Sequence, residues 1–379
     1  MTVATDLVER RPEGLYCAPG DFYIDPWRPV TRAVITHAHA DHARAGHAHY
    51  LASAQSRWVL RERLGDPSLQ TLGWGETLRI GEVMLSLHPA GHVLGAAQVR
   101  IAHPRHGVWV VSGDYRVQAD PSCAPFEPVR CDTFVTESTF GLPVYRWPSA
   151  EGEIERLHRW WSANAAQNLP SRLHAYSLGK AQRVLAALAA LGGLPGTLSC
   201  HPAVERLNQA YRATGIALPD ARALDDLGAD ERRRTLLIVP PAAADGAYAR
   251  GLRGARDALA SGWMRIRGIR RRRSVDLGLV ISDHADWPGL QQAIRATGAG
   301  RVIVTHGYEA VMIRWLREQG LEAGRFDTPY RDDGEAGGDD GASSGGDAGG
   351  REASGGEASG GEAGGRESGG GGAAAEADE

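Results

Sequence analysis

The chain has 379 residues, 42% of them hydrophobic, so it is long enough for two domains or for one large domain with an insertion. Its formal net charge of −4 hides an asymmetry, because residues 331–379 contain thirteen acids and three arginines, a net charge of −10, which leaves +6 on residues 1–330. This mildly basic part is compatible with a polyanionic partner. The four cysteines form no CxxC pair, and no segment has the apolar length of a signal peptide or a membrane span, which predicts a reduced, cytoplasmic protein without a membrane partner.

The first predicted strands, at residues 15–17, 22–24 and 33–35, lead into a loop that is rich in histidine and aspartate. This loop, residues 36–42, reads Thr-His-Ala-His-Ala-Asp-His. Imidazole suits zinc-like ions, and a carboxylate helps to hold a second ion or orients a water. The loop therefore predicts a metal site at the end of a strand, and residues 43–50 after it are predicted to form a helix.

Most later strands are followed by a polar residue that is able to bind a metal or a proton. The predicted strands are residues 82–88, 108–111, 133–136, 277–281 and 302–304. In the same order, the polar residues that follow them are His92, Asp114, Glu137, His284 and His306. Ligands at strand ends that converge on one edge of a sandwich explain this pattern, whereas a sequence repeat does not.

The composition changes between residues 150 and 262, where Ala, Leu and Arg recur at helical spacing around one strand at residues 236–239. This block predicts an inserted α/β domain. Within it, Ser177 and Lys180 lie at the start of a helix, where backbone N–H groups and the ammonium can hold a phosphate; an ordinary helix cap with a solvated lysine is the alternative. A basic cluster that includes Arg270 and Arg271 is either a solvated face or a further phosphate contact.

Four segments are expected from these changes in composition. Residues 1–142 form the first part of the metal-binding domain, residues 143–274 the inserted domain, and residues 275–330 a return segment of the first domain. Residues 331–379 consist mainly of Gly, Glu, Asp, Ala and Ser and have nothing to bury, so they are predicted to be a disordered tail.

The histidines and aspartates fit a site for two divalent ions, and this donor set accepts zinc or manganese. The first ion would take His37, His39 and His92, the second would take Asp41, His42 and His306, and Asp114 would bridge them. Two ions about 3.5–4 Å apart bind one water as hydroxide, with its pKa lowered to about 7, and clamp an in-line phosphoryl displacement. Because histidine binds metal only when neutral, we expect activity and metal to be lost together below about pH 6.

Several segments resemble the motifs of the metallo-β-lactamase superfamily: THAHADH at 36–42, AGH at 90–92, SGD at 112–114 and THG at 305–307. More narrowly, the chain is similar to the β-CASP nucleases through TESTFG at 136–141, SLGKAQ at 177–182 and ISDHADW at 281–287. Within that branch it resembles the bacterial ligase-associated DNA exonucleases, through GDFYIDPWRPV at 20–30. These sequences are often grouped with RNA 3′-end processing factors.

The resemblance implies a fold and a set of site residues. The fold is an α/β fold, a metallo-β-lactamase αββα sandwich with an inserted β-CASP-like α/β domain and the disordered tail. Asp41, Glu137 and His284 are implied to be catalytic; Glu137 partners His284, which protonates the leaving oxygen. Asp25 is expected to support a metal ligand from behind. Single-stranded nucleic acid is expected in the cleft between the domains, held by Ser177, Lys180, Arg270 and Arg271.

The implied function is a two-metal phosphodiesterase that acts on nucleic acid through a metal-bound hydroxide. A DNA exonuclease in repair, beside an ATP-dependent DNA ligase and a helicase, is the first interpretation. An RNA-processing ribonuclease is the alternative, since a histidine at position 306 is typical of RNA-cleaving members.

Two other classes of function use part of the same inventory. A thioesterase or lactonase would bind the same metals but would need neither the insertion nor His284 nor the basic charge. A catalytically inactive nucleic-acid-binding module is disfavoured, because every ligand position is filled.

Overall fold

The computed structural model describes residues 6–244, 246–273 and 275–326, all within one compact unit that spans Met1–Asp327. The predicted tail at residues 331–379 lies outside the described residues. The helices of the described part are α1 (Arg57–Leu64), α2 (Ala150–Ala166), α3 (Lys180–Leu191), α4 (Pro202–Ala213), α5 (Ala229–Arg232), α6 (Ala247–Arg250), α7 (Arg267–Arg272), α8 (Trp287–Thr297) and α9 (Glu309–Glu318). None of them combines the length and the apolar character that crossing a bilayer demands.

A first sheet has six strands in chain order: β1 (Glu9–Arg11), β2 (Gly14–Cys17), β3 (Phe22–Ile24), β4 (Arg32–Val34), β5 (His49–Ser53) and β6 (Leu69–Leu72). The pairs β1–β2 and β2–β3 are antiparallel, and the strands from β3 to β6 are parallel. Residues 36–42, the predicted metal-binding loop, follow the carboxyl end of β4 in the structure.

A second sheet has seven strands. From one edge to the other they are β7 (Thr77–Ile80), β8 (Val83–Pro89), β9 (Ala97–His103), β10 (Gly107–Val111), β11 (Thr133–Glu137), β17 (Arg301–Thr305) and β18 (Glu322–Gly324). β10, β11 and β17 are parallel neighbours, and β8 runs in the same direction because β9 is antiparallel to both β8 and β10. The carboxyl ends of these four strands therefore lie on one edge of the sheet.

The two sheets pack face to face between helices, which gives four layers. Val34 and Leu51 of the first sheet share one apolar core with Leu85 and Ile303 of the second. On the outer side of the second sheet, side chains of α8 and α9 bury Val110, Phe134 and Val302. On the outer side of the first sheet, side chains of α1 and α4 bury Ala33, Ile35 and Ala52. The prediction of a mixed α/β fold is confirmed at this level.

A third sheet lies between β11 and β17 in the sequence and is entirely parallel. Its order is β13 (Leu198–Cys200), β14 (Leu236–Val239), β12 (Ser171–His174), β15 (Arg256–Ala260) and β16 (Leu277–Leu279). Residues of α2 and α3 pack against it in a separate core. β16 falls in the segment that we expected to rejoin the first domain at residue 275, but it is hydrogen-bonded to β15, so this sheet extends to Leu279.

The helix predicted at residues 43–50 is wrong. Residues 43–48 are bends and irregular backbone, and β5 begins at His49 and pairs with β4 and β6. Gly46 has a φ of 99°, a conformation outside the right-handed helix. The pairing of Tyr50 with Ala33 makes the end of this segment part of the first sheet.

Candidate active site

The loop after β4 is held from behind by one carboxylate, that of Asp25. Its Oδ1 accepts the N–H of Thr36 at 2.7 Å, and its Oδ2 accepts the Thr36 hydroxyl at 2.5 Å. The same Oδ2 lies 2.7 Å from Nδ1 of His42. Asp25 therefore orients the histidine loop and leaves Nε2 of His42 directed elsewhere, a support of the kind that fixes metal-binding histidines.

Three histidines and an aspartate place their donor atoms in one small group. Nδ1 of His39 lies 3.1 Å from Nε2 of His37 and 3.0 Å from Nε2 of His92. Oδ2 of Asp114 lies 3.5 Å from Nε2 of His37 and 3.8 Å from Nε2 of His92. All four donors are within 4.8 Å of one another. Two nitrogens bound tetrahedrally to zinc lie about 3.3 Å apart, so this donor set fits one such ion.

The other ring nitrogens of these histidines have partners of their own. Nδ1 of His37 lies 3.1 Å from the Thr36 hydroxyl, and Nδ1 of His92 lies 2.9 Å from the carbonyl oxygen of Asp283. Nε2 of His39 lies 3.3 Å from the carbonyl oxygen of Leu178. These contacts select the nitrogen that faces the group. Two of the partners come from segments 177–182 and 281–287, so those segments help to shape the site.

Burial and neighbouring charges divide the histidines into two kinds. Burial lowers the pKa of His37 and of His92 well below the ordinary value, and nearby histidines add to the effect. For His42, burial acts in the same direction, but the charges of Asp114 and Asp25 outweigh it and raise its pKa well above the ordinary value. In the absence of an ion, His37 and His92 are therefore neutral at pH 7, as metal ligands must be, and His42 carries a proton.

The residues predicted for a second ion are only partly gathered. Nε2 of His42 lies 3.4 Å from Asp41 Oδ2 and 3.5 Å from Asp114 Oδ2. His306 is exposed, and the centre of its ring is 6.0 Å from that of His42. Its φ of 55° places it in a tight turn that the hydroxyl of Ser138 holds by donating to the His306 carbonyl. The structure thus brings Asp41 and His42 together with Asp114 and leaves His306 at the margin.

The buried Glu137 and the half-buried His284 form a pair beside the histidine group. Nδ1 of His284 lies 2.9 Å from Glu137 Oε2, while Glu137 Oε1 accepts the N–H of Tyr115 at 2.8 Å. The ring of His284 is centred 4.7 Å from that of His92. Burial alone would lower the pKa of His284, but the charge and hydrogen bond of Glu137 raise it to about 9. His284 is thus a protonated imidazole at neutral pH that Glu137 holds through Nδ1.

The four residues predicted to hold substrate differ in how far they are exposed to solvent. Arg270 and Arg271 are exposed on α7, and Ser177 is half-buried at the loop that carries Leu178. Lys180 does begin a helix, α3, but it is only 5% exposed. Its ammonium lies 3.4 Å from Asp283 Oδ2 and over the ring of Tyr176. The structure places the Lys180 ammonium in a buried ion pair rather than in the predicted contact with a phosphate.

A buried ionic network behind His92 was not predicted from the sequence. Arg183 donates to Asp120 Oδ2 at 2.6 Å, to the carbonyl oxygen of Ser282 at 2.6 Å and to that of His92 at 2.8 Å. It also lies 2.9 Å from Asp283 Oδ1. Because arginine is abundant in this chain, the residue type alone did not distinguish Arg183 from other arginines. Arg183 lies three residues after Lys180 on α3.

The sequence of the chain is similar to those of several known proteins. No protein-family model matches it. It is 32% identical over 312 residues to a protein of Opitutus terrae named as a probable DNA ligase, a match that covers 82% of this chain and 30% of that protein. It is 30% identical over 124 residues to the endoribonuclease ysh1 of Aspergillus fumigatus, over 31% of this chain and 14% of that protein. The chain resembles proteins named as a DNA ligase and an endoribonuclease.

The chain spans less than a third of the length of either relative. Among solved structures, it is similar to a protein of unknown function from Enterococcus faecalis, with a TM-score of 0.53 and 13% identity over 79% of each chain. At that identity the likeness shows a shared fold and nothing about activity.

Proposed function

We propose that this chain is a metal-dependent nuclease of the metallo-β-lactamase superfamily, in its β-CASP branch, and that the third sheet with its helices is the β-CASP insertion. The observation that carries the proposal is the placement of the Glu137–His284 pair against the four donors His37, His39, His92 and Asp114. The four layers of the rest of the fold are those expected of that superfamily. The names of the relatives support a nucleic-acid substrate.

The donor set fits divalent ions because it offers imidazole and carboxylate groups. The ring nitrogens of His37, His39 and His92 that face away from the group already have polar partners. When bound, such ions lower the pKa of a water to about 7 and neutralise charge on a phosphoryl group. Asp114 faces both His37 and His42, which suits a carboxylate shared between two positions. We propose Asp41, His42 and His306 as the remaining ligands, with the turn at His306 closing toward His42 when an ion is present.

His284 is proposed as the proton donor to the leaving oxygen. A sugar alkoxide leaves poorly unless it is protonated, and an imidazolium held by a buried carboxylate supplies that proton. Glu137 keeps the ring charged and fixes its orientation through Nδ1. We expect Glu137→Gln to slow cleavage of a sugar leaving group by 10²- to 10⁴-fold. A substrate with a nitrophenolate leaving group should be affected much less, since that group departs unprotonated; an equal loss on both would remove the acid role.

DNA is the proposed substrate, and single strands are its proposed form. The match to the protein named as a DNA ligase covers 82% of this chain, which supports DNA and action beside an ATP-dependent ligase. A helicase as a further partner is proposed on the family resemblance alone. RNA is the second candidate because the similarity to an endoribonuclease covers part of the same chain.

The test is a gel assay of end-labelled single-stranded DNA and RNA of the same sequence, with zinc or manganese. We expect a ladder from DNA with the wild-type protein and none with His39→Ala. His49→Ala is the matched control, because His49 is exposed and lies outside the donor group, so it should cleave as the wild type does. Cleavage of RNA alone would favour the second candidate, and equal activity of both histidine variants would refute the site.

A further inference from the structure

We infer that five aromatic residues beside His284 form a stacking site for one unpaired base of the single-stranded substrate, an inference that rests on the proposed function. The group, called here the aromatic cluster, consists of Phe140, Tyr145, Trp147, Trp263 and Tyr308. It combines residues from the segment after β11, from the insertion and from the turn after β17. No motif of the sequence analysis includes the two tryptophans.

Phe140 is the centre of the aromatic cluster. Its ring centre lies 4.8 Å from those of Tyr145 and Trp147 and 5.0 Å from that of Trp263. Tyr308 joins through Tyr145, with ring centres 6.1 Å apart and hydroxyls 3.4 Å apart. The contacts are mostly tilted or edge-on, so the rings do not close one another off by face-to-face stacking.

The cluster has a buried base and a partly open rim. Phe140 and Tyr145 are 3% and 2% exposed, whereas Trp147, Trp263 and Tyr308 are half-buried. The partly exposed rings leave aromatic surface at the rim that a ligand can contact. Half-buried tryptophan on a rigid support is what a base-stacking site requires, because every base has an aromatic face and none needs to be read by hydrogen bonds.

The aromatic cluster adjoins the proposed proton donor. The indole N–H of Trp147 donates to the carbonyl oxygen of His284 at 3.0 Å, and the ring of Phe140 is centred 6.0 Å from that of His284. A base held on this rim would belong to a nucleotide close to the scissile phosphate. Stacking would therefore position the phosphate as well as add affinity.

The charge around the rim suits a polyanion. Arg146 directly precedes Trp147, Arg267 lies four residues after Trp263, and both arginines are exposed. Arg265 donates to the carbonyl oxygen of Val144, which links the two segments. The carboxylate of Asp286 is engaged, since it accepts the N–H of Trp147 at 2.8 Å and caps α8. Exposed arginines close in sequence to partly open aromatic rings suit the alternation of phosphate and base along a single strand.

The experiment measures binding without turnover. A series of otherwise identical single-stranded DNA oligonucleotides, each with one abasic site at a different position, is titrated with the wild-type protein in chelator. Stacking is worth roughly 5- to 150-fold in affinity per base, so we expect one position at which loss of the base weakens binding by that factor. Trp263→Leu should bind the intact oligonucleotide as weakly as the wild type binds that abasic one. Trp263→Phe keeps an aromatic ring, so it should still bind the intact oligonucleotide more tightly than the abasic one.

Trp58→Leu is the matched control, because Trp58 is 43% exposed on α1 and contacts Arg61 rather than the aromatic cluster. The inference is overturned if no abasic position weakens binding, or if Trp263→Leu keeps the full abasic penalty. It is also overturned if Trp263→Leu weakens intact and abasic oligonucleotides equally, which would mark a structural role. A wild-type protein that shows the abasic penalty in chelator but never cleaves with metal would refute the proposed function and leave the stacking site standing.

Discussion

Replacement of Arg183 by Met should test whether the ionic network supports both the fold and the metal site. Burial acts to lower the pKa of Arg183, but the charges of Asp120 and Asp283 outweigh it, so the guanidinium is charged. The substitution removes that charge and leaves two buried carboxylates. Each keeps one further cation, Arg116 at 3.3 Å from Asp120 and Lys180 at 3.4 Å from Asp283.

Loss of one partner from a buried ion pair costs about 3–5 kcal/mol of stability. We expect about 3 kcal/mol for Arg183→Met, at the lower end, because each carboxylate retains a second cation. The carbonyl oxygens of Ser282 and His92 also lose their donor. Since the neighbouring carbonyl oxygen of Asp283 orients His92, affinity for the first ion should fall about 10- to 100-fold as well.

The assay is urea unfolding of the metal-free protein, followed by competition for zinc or manganese with a chelator of known affinity. Arg159→Met is the matched control, because Arg159 and Glu155 form an ion pair at 3.4 Å with side chains 66% and 55% exposed. Such a surface pair contributes about 0–1 kcal/mol. If the two variants unfold at the same urea concentration and bind metal equally well, the network has no supporting role.

Two further predictions concern the histidine site and its wall. Gly179→Ala should lower the free energy of unfolding in urea by about 1–3 kcal/mol more than Gly65→Ala does. A Cβ added at Gly179 would lie 2.3 Å from Val93 Cγ1, whereas a Cβ added at Gly65 would have none of the described atoms within 4 Å. Both glycines have a positive φ, so the backbone strain is matched. Equal costs would show that Val93 yields. The pKa of His42 is raised above its ordinary value near 6.5, so His42 keeps its proton at pH 7 in the metal-free site. Metal binding at pH 7 should therefore release about one proton and should strengthen as the pH rises. Calorimetry in two buffers of different ionisation enthalpy measures this release, and identical heats in both would contradict it.

The sequence by itself determined the strands that precede the polar residues of the site. Alternation over β8 placed Val83, Leu85 and Leu87 on one face, and all three are fully buried. A strand sends its chain out of the sheet at a defined edge, so a polar residue after a buried strand is a strong local signal. This is why four residues that the structure brings together, His37, His39, His92 and Asp114, could be selected from the sequence. The prediction failed at residues 43–50, where a helix was expected and strand pairing decided otherwise.

Only the tertiary structure decided the surroundings of Lys180 and Arg183 and the grouping of the aromatic cluster. Lys180 begins its helix as expected, but its ammonium is buried against Asp283, a contact between residues 103 positions apart in the chain. The network of Arg183 and the aromatic cluster likewise join segments that are distant in sequence. Strand patterns arise from neighbours two residues apart, whereas these contacts depend on how the third sheet packs against the first two. No local pattern encodes that packing, so the donor residues and the carboxylate of Asp25 behind them were expected from the sequence, whereas the Arg183 network and the aromatic cluster were not.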